Sequence, residues 1–486
     1  MKNTYLGIDL GTSSIKLLLA DENGNVLATH SESYPVSYPQ DGWSEQNPCD
    51  WICALHKAVP IVFENQNKSA LRGISFAGQM HGLVALDKND NVIRPCILWN
   101  DGRCEKQTRF LNETIGKQKL SCLTANVAFA GFTAPKILWL KENEPENFAK
   151  IAKIMLPKDY LAFYLSGVHS TDFSDASGTL LLDVKNKRWS SEMLEICSIT
   201  QDVLPQLFES FEPVGKLKKE FCDLWGFENV VIGAGAGDNS AGAVGSGVVE
   251  NGDCNVSLGT SGTLFVCQND FFVDDKNSLH SFCHSNGKYH LLGCILSAAS
   301  CFSWWMDVSN GTDFDFEQSQ LDEHLSQNDV FFLPYLMGER SPHNDVFAKG
   351  AFVGLRPTTT RKQMTLAVLE GVAFALKDCL DLAKQSNLKV LKTRICGGGA
   401  KSYVWKKIIA NVFGVPVETP TIEQGPSFGS AILAMVACGK YKNVEQATQK
   451  IVTVSQTVFP VETLTKNYQA KHEKFKKYYP ALKGLF

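Results

Sequence analysis

The chain has 486 residues, of which 44% are hydrophobic and 20% charged, and its formal net charge is −4. This length exceeds what one hydrophobic core usually serves, so we expect two or three domains. The slightly acidic balance excludes a broadly basic surface, and we therefore expect neither nucleic acid nor an anionic membrane as a partner.

The N-terminus and the cysteines indicate the compartment. A strand-like run begins directly after the first residues, so we expect no secretory signal and a cytoplasmic location. We find no apolar stretch of about 18 residues and expect no membrane-spanning helix. The fifteen cysteines include no C-x-x-C pair, which argues against a structural zinc site and favours free thiols.

The first half predicts an alternation of strands and helices. Strands are expected at residues 5–10, 15–20, 26–31 and 71–76. Asn47 before Pro48 predicts the start of a helix that ends near residue 63, because Asn caps helices and Pro suits their first turn. A glycine-rich strand end at residues 230–237 should lead into a helix beginning near Asp238.

The second half begins like the first. Residues 254–258 and 263–268 predict two strands around a tight turn, and Leu258-Gly259-Thr260-Ser261 repeats Leu10-Gly11-Thr12-Ser13. Helices are expected at residues 360–384, 403–412 and 427–438, with a strand at residues 392–396. The repeat at the start of each half suggests duplication, and we place a domain boundary near residue 250, between domains 1–250 and 251–486.

The repeated turns have the chemistry of a polyphosphate cradle. Glycine lets the backbone approach a ligand closely, and successive amides in a turn can point at phosphate oxygens. The predicted nucleotide contacts are Gly11, Thr12 and Ser13 in the first turn, and Gly259 and Thr260 in the second.

Two charged residues flank the first turn. Asp9 would place a carboxylate beside the phosphates, where Mg²⁺ takes oxygen ligands. Lys16 either reaches a phosphate or is a surface cation, and the sequence favours neither interpretation. A P-loop, a dinucleotide-binding fingerprint and a protein kinase are excluded, because the chain lacks G-x-x-x-x-G-K-[ST], a complete G-x-G-x-x-G and the protein-kinase motifs.

Asp238 is the candidate general base. It follows a strand and a glycine run, so its carboxylate should lie at the end of a strand, where it could accept the proton of an attacking hydroxyl. The structural alternative is a plain helix N-cap, for which Asp is well suited.

Polar residues after two further strand-like segments form a candidate sugar site. Gln79, Met80 and His81 follow the strand at residues 71–76, and Trp99 and Asn100 follow Ile97-Leu98. Amide, imidazole and carboxylate groups can bind sugar hydroxyls, while an aromatic ring covers a carbon face.

These segments together resemble the FGGY family of carbohydrate kinases over essentially the whole chain, and most closely the branch that phosphorylates D-xylulose. Seven segments match in order: Gly78-Gln79-Met80-His81-Gly82, Ile97-Leu98-Trp99-Asn100-Asp101-Gly102-Arg103, Gly131-Phe132-Thr133-Ala134-Pro135-Lys136-Ile137-Leu138-Trp139, Gly237-Asp238-Asn239, Ser257-Leu258-Gly259-Thr260-Ser261-Gly262, Gly338-Glu339-Arg340-Ser341-Pro342-His343 and Gly397-Gly398-Gly399-Ala400. One departure is alanine at positions 234 and 236 of the glycine run.

The resemblance implies an α/β fold of two ribonuclease H-like domains, as in actin and hexokinase, with the active site in the cleft between them. The N-terminal domain would carry the sugar site, the first phosphate hairpin and the base, and the C-terminal domain the second hairpin and the adenosine site. The resemblance adds Asn239 to the sugar contacts, and Gly398 and Gly399 to the nucleotide contacts.

The implied activity is transfer of the γ-phosphate of MgATP to the 5-hydroxyl of D-xylulose. The alternatives are a kinase for another ketose or polyol, such as ribulose, xylitol or glycerol, and, more remotely, an actin-like or chaperone-like ATPase switch. The expected partners are a small-molecule sugar and ATP, and the resemblance alone suggests a homodimer.

Overall fold

The computed structural model describes residues 2–311 and 313–486, which form two compact units. Unit 1 comprises Met1–Val249, Ser281–Tyr289 and Gln424–Val452, and unit 2 comprises Glu250–His280, His290–Glu423 and Thr453–Phe486. Among the described residues, no helix has the length and apolar character needed to cross a membrane.

Before residue 250 the structure describes fifteen strands and ten α-helices. The strands are β1 Thr4–Leu10, β2 Ser14–Asp21, β3 Val26–Ser33, β4 Glu45–Gln46, β5 Leu71–Gly78, β6 Val84–Leu86, β7 Cys96–Ile97, β8 Lys153–Met155, β9 Ser170–Asp172, β10 Leu182–Asp183, β11 Arg188–Trp189, β12 Gln206–Phe208, β13 Pro213–Lys216, β14 Val231–Gly233 and β15 Ala236–Gly237. The helices are α1 Pro48–Val62, α2 Glu105–Arg109, α3 Lys117–Thr124, α4 Thr133–Asn143, α5 Pro145–Phe148, α6 Pro157–Ser166, α7 Phe173–Ala176, α8 Ser191–Cys197, α9 Lys219–Trp225 and α10 Asp238–Gly245.

The remaining segment has longer helices and fewer strands. The strands are β16 Cys254–Leu258, β17 Gly262–Gln268, β18 His280–Cys283, β19 Tyr289–Ile295, β20 Phe331–Leu333, β21 Ala351–Val353, β22 Thr393–Cys396, β23 Val417–Pro420 and β24 Val454–Val458. The helices are α11 Ala299–Val308, α12 Phe314–Ser319, α13 Arg361–Ala383, α14 Tyr403–Phe413, α15 Pro426–Ala437, α16 Val444–Ile451 and α17 Glu462–Leu482.

The main sheets of the two units share the same strand order over five strands. The sixth strand precedes its neighbour in the chain in unit 1 (β13 before β14) and follows it in unit 2 (β24 after β23). In unit 1 the order is β3-β2-β1-β5-β14-β13, and in unit 2 it is β19-β17-β16-β22-β23-β24. In each sheet an antiparallel hairpin (β1–β2 or β16–β17) lies beside a parallel strand (β5 or β22) that pairs with its first member. This shared arrangement supports the duplication suggested by the four-residue repeat, and each copy of the repeat forms the turn of its hairpin.

Most predicted elements occur with ends shifted by one or two residues. Asn47 caps α1 by accepting a hydrogen bond from Cys49 N, and Thr360 forms a capping box with Gln363 at the start of α13. The predicted strand at residues 230–237 is instead divided into β14 and β15. Gly235 lies between them at φ +77°, a left-handed conformation that breaks the run and that glycine adopts without strain.

Helix α15 packs on the central strand β1 of unit 1 with almost no space between their backbones. A Cβ added at Gly7 would lie 1.9 Å from the carbonyl oxygen of Ser427 and 2.6 Å from the nitrogen of Ala431. These neighbours are backbone atoms of a helix, so they cannot rotate away as a side chain could. This packing therefore requires glycine at position 7, because any side chain there would overlap the helix backbone.

We predict that Gly7→Ala destabilises the protein by about 1–3 kcal/mol, the usual cost of an overpacked core. Gly484→Ala is the matched control, because a Cβ at Gly484 meets no atom within 4 Å. Thermal unfolding followed by circular dichroism should show a lower Tm for the first variant and an unchanged Tm for the second. Equal melting temperatures for both variants would contradict the close approach.

Candidate functional site

The first predicted phosphate turn is held on both sides by side chains. The carbonyl of Thr12 accepts a hydrogen bond from Gln46 Nε2 at 2.6 Å, and its hydroxyl accepts one from Trp99 Nε1 at 3.0 Å. The Tyr34 hydroxyl donates to the carbonyl of Gly11, and the N–H of Tyr34 donates to the carbonyl of Ser13. These contacts fix the backbone of the turn in one path.

Gln79 lies beneath this turn and not at an open surface. Its side chain is 2% exposed, and its Nε2 donates to Gln46 Oε1 at 2.8 Å. Its backbone N–H donates to the carbonyl of Leu10 at 2.9 Å. The structure thus joins Gln79 to the first predicted phosphate turn, and its predicted contact with a sugar stays a prediction.

His81 is oriented by the residues around it. Its Nδ1 is 2.7 Å from the carbonyl of Gly178, so the proton of the neutral ring is on Nδ1 and Nε2 is an acceptor. Its ring stacks on Phe132 with centroids 4.6 Å apart. Its own carbonyl accepts hydrogen bonds from Thr133 at 3.1 Å and from Lys136 at 2.8 Å. An imidazole acceptor fixed in this way suits recognition of a hydroxyl.

Residues 131–139, which form one of the seven matching motifs, therefore support the candidate site through hydrogen bonds to the backbone of His81. Lys136 is fully buried in α4 and also donates to the carbonyl of Gly131 at 2.6 Å. Burial lowers the pKa of Lys136 to about 8. A Cβ at Gly131 would lie 2.1 Å from the carbonyl oxygen of Trp99, so this motif also packs closely on the backbone of the second candidate sugar segment.

Trp99 and Asn100 lie on the surface of unit 1 beside the first turn. Both residues are exposed, and the indole of Trp99 bonds to the Thr12 hydroxyl. The neighbouring Asp101 is buried and pairs with Arg103 at 2.7 Å, while also accepting the N–H of Ser44 at 2.6 Å. Asp101 is thus an anchor for the segment and leaves Trp99 and Asn100 accessible.

Asp238 is the first residue of α10, and Gly237 is the residue that caps the helix. One carboxylate oxygen, Oδ1, accepts hydrogen bonds from the backbone N–H of Asn239 at 2.6 Å and from its side chain at 2.9 Å. The Asn239 amide is also 3.9 Å from the sulfur of Met80. Asp238 and Asn239 therefore lie beside Met80 of the first candidate sugar segment, and the plain N-cap alternative for Asp238 does not hold, because Gly237 is the capping residue.

The acidic groups of this region have shifted pKa values. Burial raises the pKa of Asp238 to about 6, against the lowering effect of its bonds to Asn239. Burial and the nearby charge of Asp238 raise the pKa of Asp9 to about 7, and Lys16 partly offsets this. Such shifts are frequent at functional sites because chemistry near neutral pH requires groups that titrate there.

Lys16 faces Asp9 across the β1–β2 hairpin. Its Nζ donates to Gln424 Oε1 at 2.7 Å, and burial lowers its pKa. Lys16 is therefore a partly buried, hydrogen-bonded cation beside the turn and not a free surface lysine.

In unit 2 the second turn and the glycine run lie together. The carbonyl of Thr260 accepts from the N–H of Ala298 at 2.9 Å and from the hydroxyl of Ser300 at 2.7 Å. A Cβ at Gly397 would lie 2.7 Å from the carbonyl oxygen of Leu258, directly before Gly259. A Cβ at Gly398 would meet no atom within 4 Å, whereas Gly399 packs on Leu258. The run therefore leaves open space at Gly398 beside the turn.

Sequence reasoning missed the buried residues that hold these segments. Gln46 connects the first turn to Gln79, and Ser174 contacts the backbone of Gly237. The sequence around Asp172 and Ser174 gave no signal of burial, because most of the neighbouring residues are also polar or small.

Three comparisons identify relatives of the chain. Residues 4–245 match the N-terminal domain and residues 254–438 the C-terminal domain of the FGGY family of carbohydrate kinases. A xylulose kinase of Escherichia coli (strain K12) is 39% identical, with 99% of each chain covered.

Two solved structures have the same fold. A crystal structure of a "xyloylose kinase" from Brucella ovis is 39% identical, covers 100% of both chains and gives a TM-score of 0.95. A gluconate kinase from Lactobacillus acidophilus is 26% identical over 99% of this chain and 98% of that one, with a TM-score of 0.91. The expected two-domain α/β fold of actin- and hexokinase-like ATPases is confirmed, and the chain belongs to the FGGY family of carbohydrate kinases.

Proposed function

We propose that this protein is an ATP-dependent kinase that phosphorylates D-xylulose on its 5-hydroxyl. The observation that carries the proposal is the convergence in unit 1 of Met80 and His81 with Asp238 and Asn239. The 39% identity to a xylulose kinase over nearly the full length supports this choice of sugar. The alternative of an ATPase switch is not favoured, since it would require no sugar segments.

The proposed sugar contacts divide into a base and groups that hold the sugar. Asp238 takes the proton of the 5-hydroxyl, while Asn239 holds that carboxylate in place. The Nε2 of His81 accepts a hydrogen bond from a sugar hydroxyl. Met80, Trp99 and Asn100 complete the sugar contacts, and Gln79 fixes the position of this segment.

The proposed nucleotide contacts lie on the two turns. Gly11, Thr12 and Ser13 of unit 1 and Gly259 and Thr260 of unit 2 donate backbone and hydroxyl hydrogen bonds to phosphates. Gly398 and Gly399 approach the adenosine. The proposed division into domains 1–250 and 251–486 assigns the sugar site and the base to the first domain and the adenosine site to the second. A homodimer also stays a prediction.

The residues at the first turn fit Mg²⁺ bound together with ATP. Asp9 is a carboxylate whose ionised form is disfavoured by burial and by the charge of Asp238, which raise its pKa, and a dication would offset both effects. Among the described residues, no group of three or more His, Cys, Asp or Glu side chains is arranged to hold a metal alone. Mg²⁺ is commonly held by one or two carboxylates, waters and substrate phosphates. When bound, it would neutralise charge on the phosphates.

The reaction follows from these positions. The sugar O5 attacks the γ-phosphorus of ATP, the bond from that phosphorus to the oxygen of ADP breaks, and the proton of O5 passes to Asp238. Because phosphoryl transfer requires mainly positioning and charge stabilisation, the fixed turns contribute by holding the phosphates. The products are D-xylulose 5-phosphate and ADP.

The substrate assignment is tested by ADP release from MgATP with D-xylulose, L-xylulose, D-ribulose, L-ribulose, xylitol, glycerol and gluconate. We expect a selective rise with D-xylulose that is lost with EDTA and restored by Mg²⁺. Gluconate belongs in the panel because a gluconate kinase shares the fold. A rise in ADP release with another compound would overturn the assignment of D-xylulose but keep the assignment of a kinase. Steady ADP release that responds to none of the compounds would overturn both assignments.

Asp238→Asn should lower kcat with the preferred sugar by at least about 10²-fold, since a positioned general base contributes 10²- to 10⁴-fold. The folded protein should remain as stable as the wild type at pH 8 or become more stable. At that pH Asp238 is ionised, and its raised pKa means that burial of this charge opposes folding. Near-normal turnover in a folded variant would overturn the role of Asp238.

The pH dependence of kcat/KM should report the same carboxyl. The measurement is made at saturating MgATP, where the bound cation would keep the proposed ligand Asp9 ionised. Only ionised Asp238 can accept the proton, so activity is present above its pKa of about 6 and falls as the pH decreases through that value. Asn239→Ala removes a hydrogen bond to the charged form and should move this acid limb to higher pH.

The matched control for this shift is Asn25→Ala. Asn25 donates a similar side-chain hydrogen bond of 2.9 Å to Asp21, away from the site. The acid limb of kcat/KM for Asn25→Ala should coincide with that of the wild type. An unchanged or lower limb in Asn239→Ala would contradict the assignment of the limb to Asp238.

A further inference from the structure

A buried cluster of charges lies behind the base segment in unit 1. The ammonium of Lys158 is 2.5 Å from Asp159, 2.9 Å from Asp172 and 3.7 Å from Asp175, and all four side chains are at most 1% exposed. Charges persist in such an interior only when they are paired and hydrogen-bonded. Burial raises the pKa of both Asp159 and Asp175, which favours their neutral forms and limits the negative charge of the cluster.

This cluster reaches the base segment through two contacts. Lys158 Nζ donates to the carbonyl of Ala234 at 3.4 Å. Asp172 Oδ2 accepts the Ser174 hydroxyl at 2.5 Å, and Ser174 Oγ in turn accepts the N–H of Gly237 at 3.1 Å. Gly237 directly precedes Asp238 and caps the helix on which Asp238 lies.

The geometry gives the Ser174 hydroxyl one orientation. A serine hydroxyl has a single proton, and here it is directed to Asp172. The lone pairs of the Ser174 oxygen are therefore available to accept the hydrogen bond from the Gly237 N–H. On its other side Gly237 is bounded by Met80, since an added Cβ would lie 3.0 Å from the Met80 Cγ and sulfur. The peptide before the base is thus held between Ser174 and the sugar segment.

We infer that Ser174 is a positioning residue for the base: by accepting the N–H of Gly237 it fixes the peptide from which the Asp238 carboxylate is presented to the acceptor hydroxyl. This inference rests on the proposed function for its kinetic consequence. A misplacement of about 1 Å can cost about 10²-fold in rate, so a residue without substrate contact can strongly affect kcat.

Ser210 provides a matched control. Its hydroxyl donates to the same oxygen, Asp172 Oδ2, at 2.6 Å, and both serines are 1% exposed. The bond from Gly235 N–H to Ser210 uses the backbone carbonyl, which alanine retains. Ser174→Ala and Ser210→Ala therefore remove the same kind of bond to Asp172 from equally buried sites, but only the first removes the acceptor of Gly237.

The two variants should differ in catalysis more than in stability. We expect similar decreases in Tm, but a kcat for Ser174→Ala about tenfold or more below that of Ser210→Ala, with the KM for MgATP unchanged in both. If Ser174→Ala does not fold, Ser174→Cys is used, since a thiol fills the site but accepts hydrogen bonds weakly. Equal kcat values at equal Tm would overturn the inference.

Amide hydrogen exchange of the peptide containing residues 235–240 provides a readout that requires no substrate. The Gly237 amide should exchange faster in the Ser174 variant than in the wild type and in Ser210→Ala. Unchanged protection would overturn the inference even if the kinase activity is present. Conversely, absence of sugar-dependent ADP release by the wild type would overturn the proposed function, while the exchange result would still decide the role of Ser174.

Discussion

The arrangement of unit 1 depends on hydrogen bonds among polar groups that lie at the ends of its central strands and are shut off from water. An unpaired polar group in such surroundings costs about 1–3 kcal/mol. Gln46 and Gln79 therefore bond to each other and to the first turn. Asp172 likewise accepts hydrogen bonds from the hydroxyls of Ser174 and Ser210. These two groups of bonds restrain the backbone at the strand ends, and the second group includes the N–H of Gly237, directly before the candidate base.

Local features of the chain could be predicted because their signals are local. A helix start is encoded by the capping residue and its immediate neighbours, as at Asn47 and Thr360. The two hairpin turns follow from a short strand–glycine–strand pattern. The exact path of residues 230–237 could not be read in this way, because Gly235 contacts the backbone of Phe76 in another strand.

Tertiary contacts explain what the sequence did not reveal. Helix α15 packs on β1 although about 420 residues separate Ser427 from Gly7, and nothing in either segment signals the contact. Lys158 and Asp159 resemble an exposed charged pair in the sequence, whereas the fold buries both. The sequence thus indicated candidate residues next to strand ends, whose roles stay predictions, and it did not indicate the buried groups behind them.

The duplicated topology shows how two similar turns differ in chemistry. In the first hairpin Asp9 faces Lys16 across the strands, whereas in the second Ser257 faces Thr263. Both turns retain the glycine and threonine that give close backbone approach and a hydroxyl. Only the first turn retains a carboxylate and an ammonium, and only unit 1 contains Asp238. A neutral turn can hold phosphate through backbone and hydroxyl groups but can neither ligate a cation through a carboxylate nor accept a proton. The proposed metal ligand and the proposed base therefore belong to the same unit, and phosphate binding is the only role proposed for the second turn.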